Sequence, residues 1–128
     1  MSRDANPHHL AIIMKGVDVW NEWRQEEYNN LSDERPNLWG VNFSDEDLSK
    51  IDFCDIYFND AVFVNTTLTE ADFFKANLAS ANMRNAQLHK ARLGKAELFD
   101  ADLSGADLSE AGLSGANLHR ANLNSPFA

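Results

Sequence analysis

The chain reads as a solenoid, a stack of short repeats in which each unit covers its neighbour. Two observations carry that reading. One large apolar residue recurs at every fifth position without a break: Leu38, Phe43, Leu48, Phe53, Phe58, Phe63, Leu68, Phe73, Leu78, Met83 and Leu88, then leucine at every step from Leu93 to Leu123. Two residues before each of these, from Ala71 to Ala121, stands an alanine. A period of five suits neither an α-helix, which repeats every ~3.6 residues, nor a strand, which repeats every ~2. A strict fixed period marks a repeat architecture instead.

The unit has the form A(D/N)LXX, as in Ala-Asp-Leu-Ser-Gly at 101–105 and Ala-Asp-Leu-Ser-Glu at 106–110. It resembles the repeat of the pentapeptide-repeat proteins, over residues 36–125 and without insertion. That resemblance implies an all-β solenoid, a right-handed quadrilateral β-helix of about four and a half coils with an N-terminal α-helical cap. Four units would make one square coil, with the central Leu or Phe and the small residue before it turned inward. At ~4.8 Å between coils the rod would be roughly 22 Å long. The pattern is physically compatible with this. Large side chains fill the centre, and alanine fits where the backbone turns and little room remains. Stacking residues twenty apart gives four core columns, such as Leu38/Phe58/Leu78/Leu98/Leu118 and Phe53/Phe73/Leu93/Leu113. The phenylalanines of the series all lie between 43 and 73, so the core is aromatic at its N-terminal half and leucine-rich beyond it.

Composition bounds the rest. The 128 residues, 44% hydrophobic, suffice for one domain with one continuous core. The net charge of −9 argues against direct nucleic-acid binding and against anionic membranes. Cys54 is the only cysteine, which excludes an internal disulfide and fits a reducing compartment. No stretch approaches the ~18 apolar residues of a membrane span, and no basic region precedes an apolar run at the N-terminus. The expectation is a soluble cytoplasmic protein.

Three segments follow: an arm and capping helix at 1–35, the repeats at 36–125 and a tail at 126–128. Asn6 suits a helix N-cap and Pro7 the first helical position. Leu10, Ile13, Met14, Val17 and Trp20 then form one apolar stripe of a single helix, with Asp18, Asn21, Glu22 and Gln25 off it. Asn29–Asn30 is the expected stop, and 32–36 a short polar connection. A solenoid needs its open end covered, so this helix is expected across the first coil. The alternative is a helix for a membrane surface or a partner, for which Lys15 and Arg24 supply few cations. Residues 10–24 also resemble the leader that precedes such repeats in many cyanobacterial proteins. In the first coil Pro36, Val41, Glu46 and Ile51, then Ile56, hold positions where the repeat wants alanine. A buried carboxylate is expensive, so Glu46 is expected to swing outward unless backbone amides receive it.

No constellation amounts to a reactive site. His8 and His9 are adjacent at the helix start, while His89 and His119 fall on opposite sides of the square, so no metal ligands converge. Cys54 has no histidine in its column, and the outward serines Ser104, Ser109 and Ser114 have no base beside them. Gly94, Gly105, Gly112 and Gly115 turn or face solvent and do not form a phosphate loop. The expectation is therefore no enzyme, no cofactor and no metal.

Outward positions are more informative. Lys50, Glu70, Lys90 and Glu110 alternate in sign along one column as a ladder of ion pairs. Asp52 stacks on Asp72 with Arg92 next, and Trp39, Tyr57, Val62, Val64, Phe74 and Phe99 point outward. The candidate interaction surface is Tyr57, Val62, Val64 and Phe74 with Asp52 and Asp72, for an unknown protein partner. The alternative follows from the resemblance, since some pentapeptide-repeat proteins look like duplex DNA and protect DNA gyrase. A 22 Å duplex carries roughly thirteen charges, whereas residues 36–125 hold thirteen acids and seven bases. No capping helix is expected after the C-terminal coil, and Pro126 with Phe127 is expected to plug it. A small cross-section then leaves a monomer with weak end-to-end association at most.

The inward register is testable by substitution. Leu88→Asp should unfold the protein, while His89→Asp should leave its melting temperature nearly unchanged. Equal losses in the two variants would mean that the register is wrong.

Overall fold

The structure, a computed structural model, describes residues 4–29 and 35–125. Of the expected stop at Asn29–Asn30, Asn30 lies outside the described residues, as does the plug by Pro126 and Phe127.

Residues 36–125 close into coils of twenty residues. The residue before each central Leu or Phe pairs in parallel with the one twenty further on, from Asn37↔Tyr57 to Asp102↔Asn122. Each coil thus has four sides. The first carries Asn37, Tyr57, Asn77, Glu97 and Asn117; the second Asn42, Val62, Asn82, Asp102 and Asn122. The third carries Asp47, Thr67, Gln87 and Asp107, and the fourth Asp52, Asp72, Arg92 and Gly112.

The five-residue unit makes one side and one corner, and each of its positions has a physical task. At the corner the central residue's carbonyl accepts from the N–H three residues on, as Leu68 does from Ala71 at 3.0 Å. The residue two past the centre takes a positive φ, which defines a type II turn. Gly40, Gly105 and Gly115 do so at 71–75°, and fourteen non-glycine residues, Glu70, Ser80 and Lys95 among them, at 55–66°. The Asp or Asn before the centre holds the same turn from outside. Its Oδ1 accepts from the N–H two residues on, in Asn77 from Ala79 at 3.1 Å and in Asp102 from Ser104 at 3.0 Å. At Asp47 and Asp107 a serine hydroxyl adds a second donor, which holds each carboxyl below its ordinary pKa. The alanines and the central residues are buried from Ile51 to Leu103 as one core. Its rings meet edge to face and tilted, with Phe53 and Phe58 at 4.6 Å and Phe43 stacked on Phe63 at 5.0 Å.

The N-terminal segment forms two helices where the sequence predicts one. α1 runs Pro7–Ile13, with the Asn6 side chain accepting from the N–H groups of His8 and His9. α2 runs Val17–Asn29. Gly16, at φ +106°, breaks the pattern between them. The predicted stripe is broken with it: Ile13 and Trp20 are buried, but Met14 is 79% exposed. Polar residues outside the stripe prove to be anchors. Asn21 donates to Lys50 O at 3.1 Å and accepts from Asp52 N at 2.7 Å. Arg24 is buried and donates to Cys54 O at 2.6 Å, and Trp20 Nε1 donates to Asp52 O at 2.7 Å. His9, also buried, accepts from Asn37 N at 3.0 Å.

The first coil departs from the repeat as its sequence does. Pro36, Ile51 and Ile56 are buried, Val41 is half-buried, and Glu46 points outward into solvent. The ladder of alternating charge forms only at its first step, Lys50 to Glu70 at 3.9 Å. Glu110 meets His89 Nε2 at 3.5 Å rather than Lys90, because Ser109 Oγ holds the His89 ring by its other nitrogen at 2.8 Å. At the far end Leu103 is buried, Leu108, Leu113 and Leu118 half-buried and Leu123 exposed. Among the described residues no helix is long and apolar enough to cross a membrane.

A left-handed corner is unfavourable for any side chain, and that strain is measurable. Ser80 takes φ +59°, and among the described residues its side chain makes no hydrogen bond. Ser80→Gly should stabilise the fold by about 0.5–1 kcal/mol, the left-handed penalty less the extra entropy of the unfolded chain. Chemical denaturation checks it; an unchanged or lower midpoint would contradict the turn assignment.

Candidate functional site on the fourth side

The repeat places Cys54, Phe74, Gly94 and Ser114 in one outward column of the fourth side, one position past the core column of Phe53, Phe73, Leu93 and Leu113. Asp52 and Asp72 each fasten the turn beside them, accepting from Cys54 N at 3.1 Å and from Phe74 N at 3.0 Å. Asp72 also receives Arg92 Nη1 at 2.8 Å. These contacts fix the backbone under Phe74 and leave its ring to lean along the rod.

The ring leans over Gly94. A Cβ there would stand 3.2 Å from Phe74 Cδ2, so glycine makes room for the aromatic residue of the coil before it. Gly115 does the same for Lys95, whose Cγ would meet an added Cβ at 3.3 Å. With Gly112 and Ser114 the missing side chains leave a shallow trough of about 240 Å³, floored by Phe74 and Gly94. Three cations surround the ring: Lys75 Nζ at 5.5 Å, Arg92 Cζ at 5.9 Å and Lys95 Nζ at 6.0 Å from its centroid. Each such contact is worth about 0.5–1 kcal/mol at an exposed site. At the neighbouring corner Arg35 lies over the Tyr57 ring at 4.2 Å, pairs with Asp55 at 3.0 Å and donates to Lys75 O at 3.1 Å. Three of the eleven cations of an acidic protein thus gather around one aromatic residue.

The six residues predicted as a surface do not come together as one. Asp52, Asp72 and Phe74 share the fourth side. Tyr57 lies on the first, under Arg35, and Val62 and Val64 lie half-buried on the second. Sequence reasoning missed Lys75, Arg92, Lys95 and Gly94 as parts of this arrangement. The signal was present, since Phe74, Gly94 and Ser114 stand twenty apart, with Lys75 and Lys95 beside the first two.

Among the described residues no cluster of three or more His, Cys, Asp or Glu side chains could hold a metal. Phe99 and His119 stack at 5.5 Å on the first side, away from His89. Burial pushes the Cys54 thiol pKa far up, and Asp72 and Asp52 raise it further. The shift disfavours the thiolate, so the group is a poor nucleophile. The folded protein at pH 8 should therefore react with iodoacetamide far more slowly than the same chain in urea; equal rates would refute a protonated, shielded thiol.

A family model for pentapeptide repeats matches residues 37–73, 56–94 and 96–125 in eight copies. A search of curated proteins returned no significant match. Several solved structures are similar. A pentapeptide-repeat protein, Rfr23, from the cyanobacterium Cyanothece 51142 is 33% identical over 74% of this chain and 67% of its own, with a TM-score of 0.36. A pentapeptide-repeat protein from the Arabidopsis thaliana thylakoid lumen is 30% identical over 64% of this chain and 61% of its own, at 0.41. HetL of Nostoc sp. strain PCC 7120, described as involved in heterocyst differentiation regulation, is 24% identical over 66% of this chain and 50% of its own, at 0.36. The repeat match spans most of the chain and carries the assignment: this protein belongs to the pentapeptide-repeat family, with the right-handed β-helix solenoid of that family.

Proposed function

We propose that this chain is a non-catalytic protein-interaction module whose fourth side receives an acidic segment of a partner protein. The observation that carries the reading is Phe74 framed by Lys75, Arg92 and Lys95 on a chain of net charge −9. A surface aromatic residue with a cationic rim supplies both apolar area and charge complementarity, and Arg and aromatic residues dominate the energetics of most interfaces. The two helices serve as the cap of the first coil, held there by Trp20, Asn21 and Arg24. The single cysteine requires no oxidising compartment, which favours the cytoplasm.

Mimicry of duplex DNA, directed at gyrase or another DNA-binding protein, has less support. It rests on net charge, and several acids are already neutralised in place: Asp72 by Arg92, Asp100 by Arg120 and Asp55 by Arg35. The fourth side, with Lys75, Arg92 and Lys95 against Asp52, Asp55 and Asp72, also interrupts the negative surface that a duplex would present.

Affinity capture from the source cell distinguishes the two. Phe74→Ala combined with Lys95→Glu should cost at least about tenfold in recovery of the bound partner, the scale of one interface anchor. Full retention by this variant, or salt-sensitive inhibition of gyrase supercoiling by the pure protein, would overturn the interaction reading of the fourth side.

A further inference from the structure

Coils bond to one another with a fixed polarity. On each side the N–H groups of the central residue and of the residue two past it donate to the next coil, as Leu38 N to Tyr57 O at 2.9 Å and Gly40 N to Asn59 O at 2.9 Å. The N–H before the centre donates backwards, as Tyr57 N to Pro36 O at 3.0 Å. The leading edge of the first coil therefore presents, on every side, one N–H and two carbonyls that need a partner.

On the fourth side the helices supply all three: Asp52 N bonds to Asn21, Asp52 O to Trp20 and Cys54 O to Arg24. On the first side Asn37 N bonds to His9 and Asn37 O accepts from Asn6 N at 2.9 Å. The second and third sides have no such partner recorded among the described residues. There Asn42 N and Asp47 N, with the carbonyls of Asn42, Ser44, Asp47 and Ser49, lie along the edge, and Asn42 and Asp47 line a cleft of about 270 Å³. Its walls are Leu10, Ile13, Val17, Val41, Phe43 and Leu48. Core burial follows the same division. Leu38 and Phe53 are 0% exposed beneath the helices, and Phe43 and Leu48 are 5% and 7% exposed beneath the cleft.

We propose that this uncovered half of the first coil is a second docking site, which takes an extended, lysine- or arginine-bearing segment of a partner protein by edge pairing. This site is separate from the fourth-side trough and does not rest on it. Three features select that occupant. The open edge is rich in acceptors and fits the N–H groups of an extended chain, as in strand addition to a free sheet edge. The cleft has room for roughly nine water molecules at ~30 Å³ each, enough for an apolar side chain between the edge and the helices. Asp45, Glu46 and Asp47 are all exposed along the rim, so the side chains flanking that anchor should be basic. A whole second rod does not fit, because α1 and α2 already occupy half of the same end.

Amide hydrogen exchange on the full chain, read residue by residue by NMR, tests the idea. In the free protein the amides of Asn42 and Asp47 should exchange at least about tenfold faster than those of Asn37 and Asp52. The probe is a synthetic decapeptide with the sequence Ala-Lys-Leu-Lys-Asn repeated twice, and it should slow Asn42 and Asp47 selectively. The same peptide N-methylated at its leucines and asparagines keeps its charge but loses the pairing donors, and should give no protection. Glu46→Lys, an exposed substitution away from the core, should weaken the unmodified peptide several-fold. Equal exchange of all four amides in the free protein would overturn the proposal. So would equal binding of the N-methylated peptide, which would mean charge attraction alone. Protection that rises with protein concentration in the absence of peptide would also overturn it, since the occupant would then be a second copy.

Discussion

Everything in this molecule depends on backbone hydrogen bonds that run between coils with a fixed polarity. The centre of each unit donates forward and the residue before it donates backward, coil after coil, at 2.6–3.1 Å. The bonds close only if equivalent positions lie one coil apart, which requires twenty residues per coil and hence an uninterrupted period of five. An insertion of one residue would set apolar positions against polar ones along the whole column. That explains why eighteen units tolerate large changes of side chain, Phe to Leu in the core and Asp to Arg outside, but no change of length.

The same directionality makes the two ends of the rod chemically unlike. The leading edge is rich in carbonyls, and Asn6, α1 and α2 meet five of the six backbone groups on two sides with amide, imidazole, indole and guanidinium partners. Apolar burial alone could not do this, because an end of unpaired backbone groups needs hydrogen-bonding partners as well as cover. Hence Arg24 and His9, residues that an amphipathic reading would leave outside, are buried against the first coil. The far edge is rich in N–H groups, and its leucines pass from buried at Leu103 through half-buried to exposed at Leu123.

Repetition also determines where recognition can be built. Most outward positions hold small or charged side chains that satisfy a turn or pair along a column. A distinctive surface arises where the sequence breaks that pattern in neighbouring coils. On the fourth side the break is Phe74 followed by Gly94, with lysine at both adjoining corners. The glycine matters because it lies beneath the ring; its conformational freedom is secondary.

The sequence alone determined the solenoid, its period and the inward register, because each of eighteen units repeats the same test of the same positions. It also placed Asn6 at the helix start and Glu46 outside the core, since capping and charge burial are local constraints. Tertiary structure decided the rest. It broke the helix at Gly16, so Met14 left the stripe and Asn21 and Arg24 became anchors. It divided the six predicted surface residues among three sides, because neighbours in sequence are carried round a corner whereas residues twenty apart are brought together. Among the described residues it also left the second and third sides of the first coil without a backbone partner, which depends on where two helices come to rest. That is a balance of packing and hydrogen bonding between distant segments, and no local pattern records it.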